Sequence, residues 1–224
     1  MTKPTGAPRP LNILGAGRAG TSLARAATSA GLPVRIASSR PPTAMRLHLA
    51  QYAPRTTAVA AEEIAQDGTD QPIVVLMVPQ EDLDSVDPDW LGGCLLVDAT
   101  NRWAGEPLPV WLQASLDGGR SSSQAVAAGF PGATVVKALN HVSHWDLDAA
   151  GRSPGPERRA LGVASDSEDA AAAVGRLVRD LGFTPVLLPG LAAGRTLEPD
   201  GPVFNRPMSA PELARLTGGT VVLD

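Results

Sequence analysis

The sequence predicts a doubly wound α/β fold, a mostly parallel Rossmann sheet with a short C-terminal α/β extension. Three observations predict it. The short run Leu11–Leu14 leads straight into Gly15-Ala16-Gly17-Arg18-Ala19-Gly20, which opens an alanine-rich stretch of helical character. Short apolar runs then alternate with helical stretches along the chain, as a parallel sheet with crossover helices requires. One of those runs, Pro72–Val78, is apolar at almost every position, the pattern of a central strand covered on both faces.

The elements follow in order. Leu11–Leu14 is a strand, and Ala19–Ala30 a helix that stops at Gly31, a residue suited to the left-handed turn after a helix. Pro33–Ala37 is the second strand, Thr43–Tyr52 a helix, Thr57–Val59 a short third strand and Glu62–Gln66 a brief helix. Pro72–Val78 and Leu95–Ala99 are the fourth and fifth strands, Ser122–Ala128 a helix and Thr134–Leu139 the sixth strand. The extension adds a strand at Arg159–Ala164, a helix at Ser167–Leu181, a strand at Thr184–Leu188 and a terminal helix at Pro211–Leu216. Ser167 is the expected N-cap of its helix, with Asp169 in the first turn. Gly105–Pro109 and Gly151–Pro156 are linkers. The residues after the second linker are few for a separate core, so residues 11–224 are expected to form one Rossmann-like domain behind a flexible lead of residues 1–10.

Composition narrows the function classes. The net charge of −4 gives no electrostatic footprint for nucleic acid or an anionic membrane. No apolar stretch approaches the roughly 20 residues of a membrane span, and MTKPTGAPRP lacks the apolar run of a signal peptide. The single cysteine, Cys94, rules out an intrachain disulfide and fits a reducing compartment. A cytoplasmic protein without nucleic-acid or membrane partners is expected, and a homodimer is expected because most oligomers of this kind are symmetric dimers.

The glycine loop carries the first chemistry. In a strand–GxGxxG–helix unit the first glycine (Gly15) makes the tight turn, the second (Gly17) lets the backbone approach a pyrophosphate, and the third (Gly20) lets helix and strand pack closely. The helix N-terminus offers free N–H groups and a partial positive charge to phosphate. Gly15, Ala16, Gly17, Arg18, Ala19 and Gly20 are therefore candidate cofactor-binding residues.

The next signal lies about 20 residues further on, where an NAD-preferring site carries an acid for the ribose 2′-hydroxyl. Here stand Ser38, Ser39 and Arg40, and no acid occurs between Gly15 and Glu62. Serine hydroxyls and a guanidinium suit a 2′-phosphate, which a carboxylate would repel. NADP(H) is thus the expected cofactor, with Arg46 as a further candidate.

Other chemistries lack their residues. The one tyrosine, Tyr52, has no lysine four positions on, so the short-chain dehydrogenase pair is missing. His141 and His144 form an H-x-x-H without an intervening glutamate or an evident third ligand, and no metal site is expected.

Read in order, the segments GAGRAGTSLARAATSAG, ASSR, IVVLMVPQEDL, LLVDATN, SSSQAVAAGFPGATVVKALNHV and AAAVGRLVRDLGFTPVLLPGLAAGRTLEP resemble the NADPH:coenzyme F420 oxidoreductase family, from Leu11 to about Pro199. The resemblance implies a compact Rossmann protein that passes hydride between NADP and a 5-deazaflavin, with coenzyme F420 as second substrate. It implies that Met77, Val78 and Pro79 lie against the nicotinamide, that Asn101 lines the cleft and that Asn140 meets the acceptor ring. These positions are also the carboxyl ends of parallel strands, where ligands bind in such sheets. The same module occurs in membrane ferric reductases, so the resemblance defines the module better than the acceptor. The match ends at Pro199, where the family continues with an apolar helix and this chain has the proline-rich stretch Asp200–Met208.

Three readings stand at this point. The first is hydride transfer between NADPH and a planar redox acceptor, with orientation and water exclusion supplied by the protein. In the second, an NADPH-dependent reductase of a small imine, ketone or flavin uses His141 as proton donor. The third is a non-catalytic NADP(H)-binding sensor or scaffold whose altered tail, Asp200–Leu216, presents Phe204 and Met208 to a partner.

Overall fold

A computed structural model describes residues 9–149 and 158–222. The lead before residue 9 and the linker Gly151–Pro156 lie outside the described residues.

Among the described residues nine strands form one sheet in the order β3-β2-β1-β4-β5-β6-β7-β8-β9. β1 (Leu11–Leu14), β2 (Val34–Ala37), β3 (Thr57–Ala58), β4 (Ile73–Leu76), β5 (Leu95–Asp98) and β6 (Thr134–Lys137) run parallel. The order reverses between β1 and β4, which makes the carboxyl ends of those two strands the topological switch point, the usual place for a ligand. The extension does not stand apart. β7 (Ala160–Ser165) pairs antiparallel with β6, β8 (Thr184–Pro189) runs parallel to β7, and β9 (Thr220–Val221) closes the edge antiparallel to β8.

Alternating side chains bury both faces. One face packs Ile13, Ile36, Val75, Val97, Val136, Leu161 and Val163 under α1 (Arg18–Ser29), α2 (Pro42–Tyr52) and α6 (Glu168–Asp180). On the other, Leu14, Val74, Leu76, Leu96 and Val135 meet α3 (Val110–Asp117), α4 (Ser122–Gly129) and the 3-10 turns of residues 80–91. α5 (His144–Ala149) follows β6, and a 3-10 segment, Leu191–Leu197, follows β8.

The tail departs from expectation. Asp200–Met208 is free of helix, as its prolines dictate, but it is folded against the sheet and not held out. Val203 and Met208 are buried with Leu188, Leu197 and Leu213 of the strand–helix layer around α7 (Ala210–Thr217). Met208 O accepts from Ala160 N at 2.9 Å, and Asn205 N donates to His141 O at 3.0 Å. Phe204 rests edge-on against Trp103. Met208 is therefore a core residue and is not presented to a partner.

Candidate functional site

A cleft of about 1060 Å³ opens at the switch point. It is lined by the glycine loop Gly15–Ala19, by Ser38, Ser39 and Arg40 at the β2 exit, and by Met77, Val78 and Pro79 at the β4 exit. The structure thus brings the two cofactor signals and the implied nicotinamide floor into one cavity.

Two of the three loop glycines have a steric reason. Gly15 has φ of +124°, and a Cβ there would lie 2.4 Å from Met77 O, so only glycine lets β1 turn beside the β4 exit. A Cβ on Gly20 would sit 1.8 Å from Gly15 O, so α1 reaches the strand this closely only without a side chain. Around Gly17 a Cβ would meet no atom within 4 Å. The backbone there faces the open cleft, where a phosphate can approach. α1 has no side-chain N-cap and no acid in its first turn. Its leading N–H groups, which have no intrahelical partner, and its positive dipole end point at this space.

At the β2 exit, Ser38 Oγ accepts from Arg40 N at 3.1 Å and shapes the turn that carries Ser39 and Arg40 outward, both exposed. The acids lining the cleft are Glu62 and Asp82, from segments after β3 and β4, and neither stands at the β2 exit. Arg46 does not line the cleft. It lies two residues before His48, about 200° around the helix, and is exposed.

His48, unremarked in the sequence, lines the cleft instead. Its Nε2 lies 2.9 Å from Ala16 O, and since a carbonyl only accepts, Nε2 donates. α2 is thereby tied to the glycine loop. Trp90, brought in by the 3-10 turn Pro88–Leu91, also lines the cavity. Neither residue has a local sequence signal, because only the tertiary fold brings it to the loop.

The acceptor-side residues are arranged differently. Asn101, Asn140 and His141 do not line the cleft. Asn101 Nδ2 donates to Asn140 O at 2.9 Å, and Asn140 Nδ2 donates to Asn101 Oδ1 at 3.0 Å and to Leu197 O at 2.7 Å. The pair clamps the β5 and β6 exits to the segment after β8. His141 is fully buried. Its Nε2 accepts from Gly162 N at 3.1 Å, which leaves the ring proton on Nδ1 to donate to Asn140 Oδ1 at 3.2 Å. Burial, then the charges of Arg159 and Lys137, drive its pKa down to about 3. Buried away from the cleft and hydrogen-bonded within the protein at both nitrogens, His141 is placed to tie the β6 exit to β7, and not to meet a substrate as the expected proton donor would.

Beneath this clamp lies a buried charge network absent from sequence reasoning. Lys137 Nζ donates to Asp98 Oδ2 at 3.1 Å and to Thr100 O at 2.7 Å. Asp98 Oδ1 accepts from Thr100 N and Oγ1, its Oδ2 accepts from Ser123 Oγ, and Gln80 Nε2 donates to Thr100 Oγ1 at 2.8 Å. Burial pushes the Asp98 carboxyl up, but Lys137 and the hydroxyl and amide donors outweigh it and hold it below the usual carboxylate range. Gln80 directly follows Pro79, so the network locks the β4, β5 and β6 exits beside the cleft floor. Among the described residues no cluster of three or more metal-ligating side chains occurs, and no helix is long and apolar enough to cross a membrane.

Comparison with known proteins agrees with this geometry. Residues 10–102 match the family model described as NADP oxidoreductase, coenzyme F420-dependent. Over 199 residues the chain is 31% identical to metalloreductase STEAP3 of Rattus norvegicus, which covers 87% of this chain but only 36% of that protein. The chain therefore spans about a third of the length of this curated relative. Among solved structures, a hypothetical protein from Sinorhizobium meliloti superposes with a TM-score of 0.75 at 29% identity, covering 90% of this chain and 95% of that one. A putative F420-dependent NADP reductase from Arthrobacter sp. FB24 superposes at 0.62 with 25% identity, covering 81% and 84%. The matched stretch, residues 10–102, holds the glycine loop, the β2 exit and the β4 and β5 exits, so the similarity to the coenzyme F420-dependent NADP oxidoreductase family falls on the cleft side of the sheet.

Proposed function

We propose that the chain binds NADP(H) along the cleft and transfers a hydride between its nicotinamide and a planar redox acceptor. The observation that carries this reading is the single cavity joining the glycine loop to Ser38, Ser39 and Arg40. The α1 N-terminus and Gly17 would hold the pyrophosphate, Ser39 and Arg40 the 2′-phosphate, and Met77, Val78 and Pro79 the nicotinamide end. When bound, the dinucleotide supplies the hydride chemistry. The protein orients the ring against the β4 exit and keeps that floor rigid through Gln80 and the network below it. With His141 engaged internally, no buried general acid is invoked, and hydride transfer to a flat acceptor needs none. Residues 11–224 act in this reading as one domain, and the continuous nine-stranded sheet supports that.

The cofactor half is tested by fluorescence titration with NADPH and NADH. Arg40→Ala should weaken NADPH binding by about 10- to 100-fold, the loss of a charged hydrogen bond worth roughly 1.5–3 kcal/mol. NADH binding should change little, and an equal loss for both dinucleotides would remove the 2′-phosphate assignment. The acceptor half is tested by mixing the protein with NADPH and coenzyme F420 and following absorbance; no turnover at generous protein concentration sinks F420 as the acceptor. Identity to a metalloreductase supports a second acceptor class, tested by replacing coenzyme F420 with a free flavin and a ferric chelate: the flavin takes the hydride and passes its two electrons singly to two ferric ions.

A further inference from the structure

A second cavity, of about 800 Å³, shares no lining residue with the dinucleotide cleft. Arg102, Arg120 and Arg195 line it, from three separate segments: the β5 exit, the turn between α3 and α4, and the 3-10 segment after β8. Two of these guanidinium groups are anchored. Arg195 Nη2 donates to Gly119 O at 2.7 Å, and Arg120 Nη1 donates to Ser115 Oγ at 3.1 Å. Among the described residues, none of the three arginines forms an ion pair.

Two carboxylates, Glu198 and Asp200, share the cavity wall. Glu198 is committed: its Oε1 accepts from Ser122 N at 3.0 Å and Ser122 Oγ at 2.8 Å, at the positive end of α4. Asp200 is exposed. The balance is three guanidinium groups against two carboxylates, one of which, Glu198, is turned to Ser122. Like charges gathered in a concavity repel one another, and the low-dielectric walls focus their field. A guanidinium fork matches phosphate and carboxylate bidentately, which a lysine does not. The cavity adjoins the asparagine clamp, since Arg102 follows Asn101 and Glu198 follows Leu197, whose carbonyl Asn140 holds. A ligand there lies beside the β5 and β6 exits.

We propose that this cavity binds a small molecule carrying two or more phosphate or carboxylate groups while the cleft holds its dinucleotide. Only the simultaneity rests on the dinucleotide reading. The test is calorimetric titration of the full chain with inorganic pyrophosphate and, separately, citrate, each with and without saturating NADP⁺. One of the two should bind at one site per chain in the presence of NADP⁺, and the tighter of them identifies phosphate or carboxylate as the preferred group. Arg102→Ala or Arg195→Ala should weaken that binding at least about tenfold, as loss of a charge-assisted hydrogen bond does. Arg40→Ala should leave it unchanged, and Asp200→Asn should tighten it. Unaltered far-ultraviolet circular dichroism checks that the exposed-residue variants are folded. Three results would overturn the proposal: neither anion binding at millimolar concentration, loss of all anion binding once NADP⁺ saturates the cleft, or wild-type binding by both arginine variants in the presence of NADP⁺. Failure of the dinucleotide reading is seen separately, as absence of NADP⁺ binding, and leaves the arginine dependence of pyrophosphate or citrate binding as the criterion.

Discussion

The strand exits on the two sides of the switch point treat polar groups in opposite ways. At β1, β2 and β4 the backbone turns on glycine, α1 begins uncapped, and Ser39 and Arg40 are exposed into open space. At β5 and β6, Asp98, Thr100, Lys137, Asn140 and His141 are buried, and hydrogen bonds join them to one another or to backbone. The first arrangement recognises a ligand by leaving donors directed at the cleft. The second spends its donors and acceptors inside the protein and holds the floor still. Residue type alone does not separate them, because asparagine and histidine at a strand exit serve either purpose; what separates them is where their hydrogen bonds end.

The comparison breaks most sharply at Lys137. Lys137→Met leaves Asp98 buried beside only hydroxyl and amide donors, and loss of one partner of a buried pair costs about 3–5 kcal/mol. The urea midpoint should fall accordingly with an unchanged slope. Asp98→Asn combined with Lys137→Met should cost clearly less than Lys137→Met alone, because no carboxylate is then stranded. In protein that remains folded, kcat should fall more than KM rises if the network positions the floor. A loss of NADPH affinity with kcat intact would mean instead that the two sides are energetically one.

The same division governs what the sequence reveals. The cofactor side is legible because its determinants are local: a strand, three glycines, a helix, and serines with an arginine one strand later. The mixed sheet is legible only in part. Every strand from β1 to β8 has its own apolar run, but the reversal at β7 depends on how the chain returns after α5, and no composition signal encodes direction. α3 goes unnoticed because it is a single eight-residue helix behind a proline-rich linker and lacks a side-chain N-cap. Val203 and Met208 are lone apolar residues among prolines, without a period to announce burial. Lys137 and Asp98 lie far apart in sequence, and only the register of β5 with β6 sets them side by side.

A smaller effect comes from His141. Its folded pKa of about 3 lies below the unfolded value near 6.5. Above pH 6.5 both states are neutral and its contribution is fully present. As pH falls, the unfolded chain takes up the proton first, so stability declines by about 1.4 kcal/mol per pH unit from roughly pH 6 toward 3. Between pH 7 and 5 the loss from this residue should be about 2 kcal/mol, visible as a lower urea midpoint. His141→Gln should flatten that part of the profile whatever it does to stability at pH 7. Asp98, also held low, contributes a loss only below about pH 4, where unfolded aspartates protonate. An unchanged profile in His141→Gln would mean that the ring titrates alike in the folded and unfolded chains, and would return it to the list of proton donors.

The smallest effect separates two neighbours on one helix. Arg46 and His48 both follow the β2 exit, yet His48 lines the cleft and donates to Ala16 O while Arg46 is exposed on another face. Arg46→Ala should change NADPH affinity by less than about threefold, within the roughly 0.5 kcal/mol expected of a surface substitution away from any contact. His48→Ala removes a tie between α2 and the glycine loop, and the loss of one neutral hydrogen bond, about 0.5–1.5 kcal/mol, should weaken the dinucleotide roughly two- to tenfold. The two titrations use the same fluorescence signal. If Arg46→Ala proves the more damaging, the 2′-phosphate is held further along α2 than Arg40, and the boundary of the open side must be redrawn to include that face.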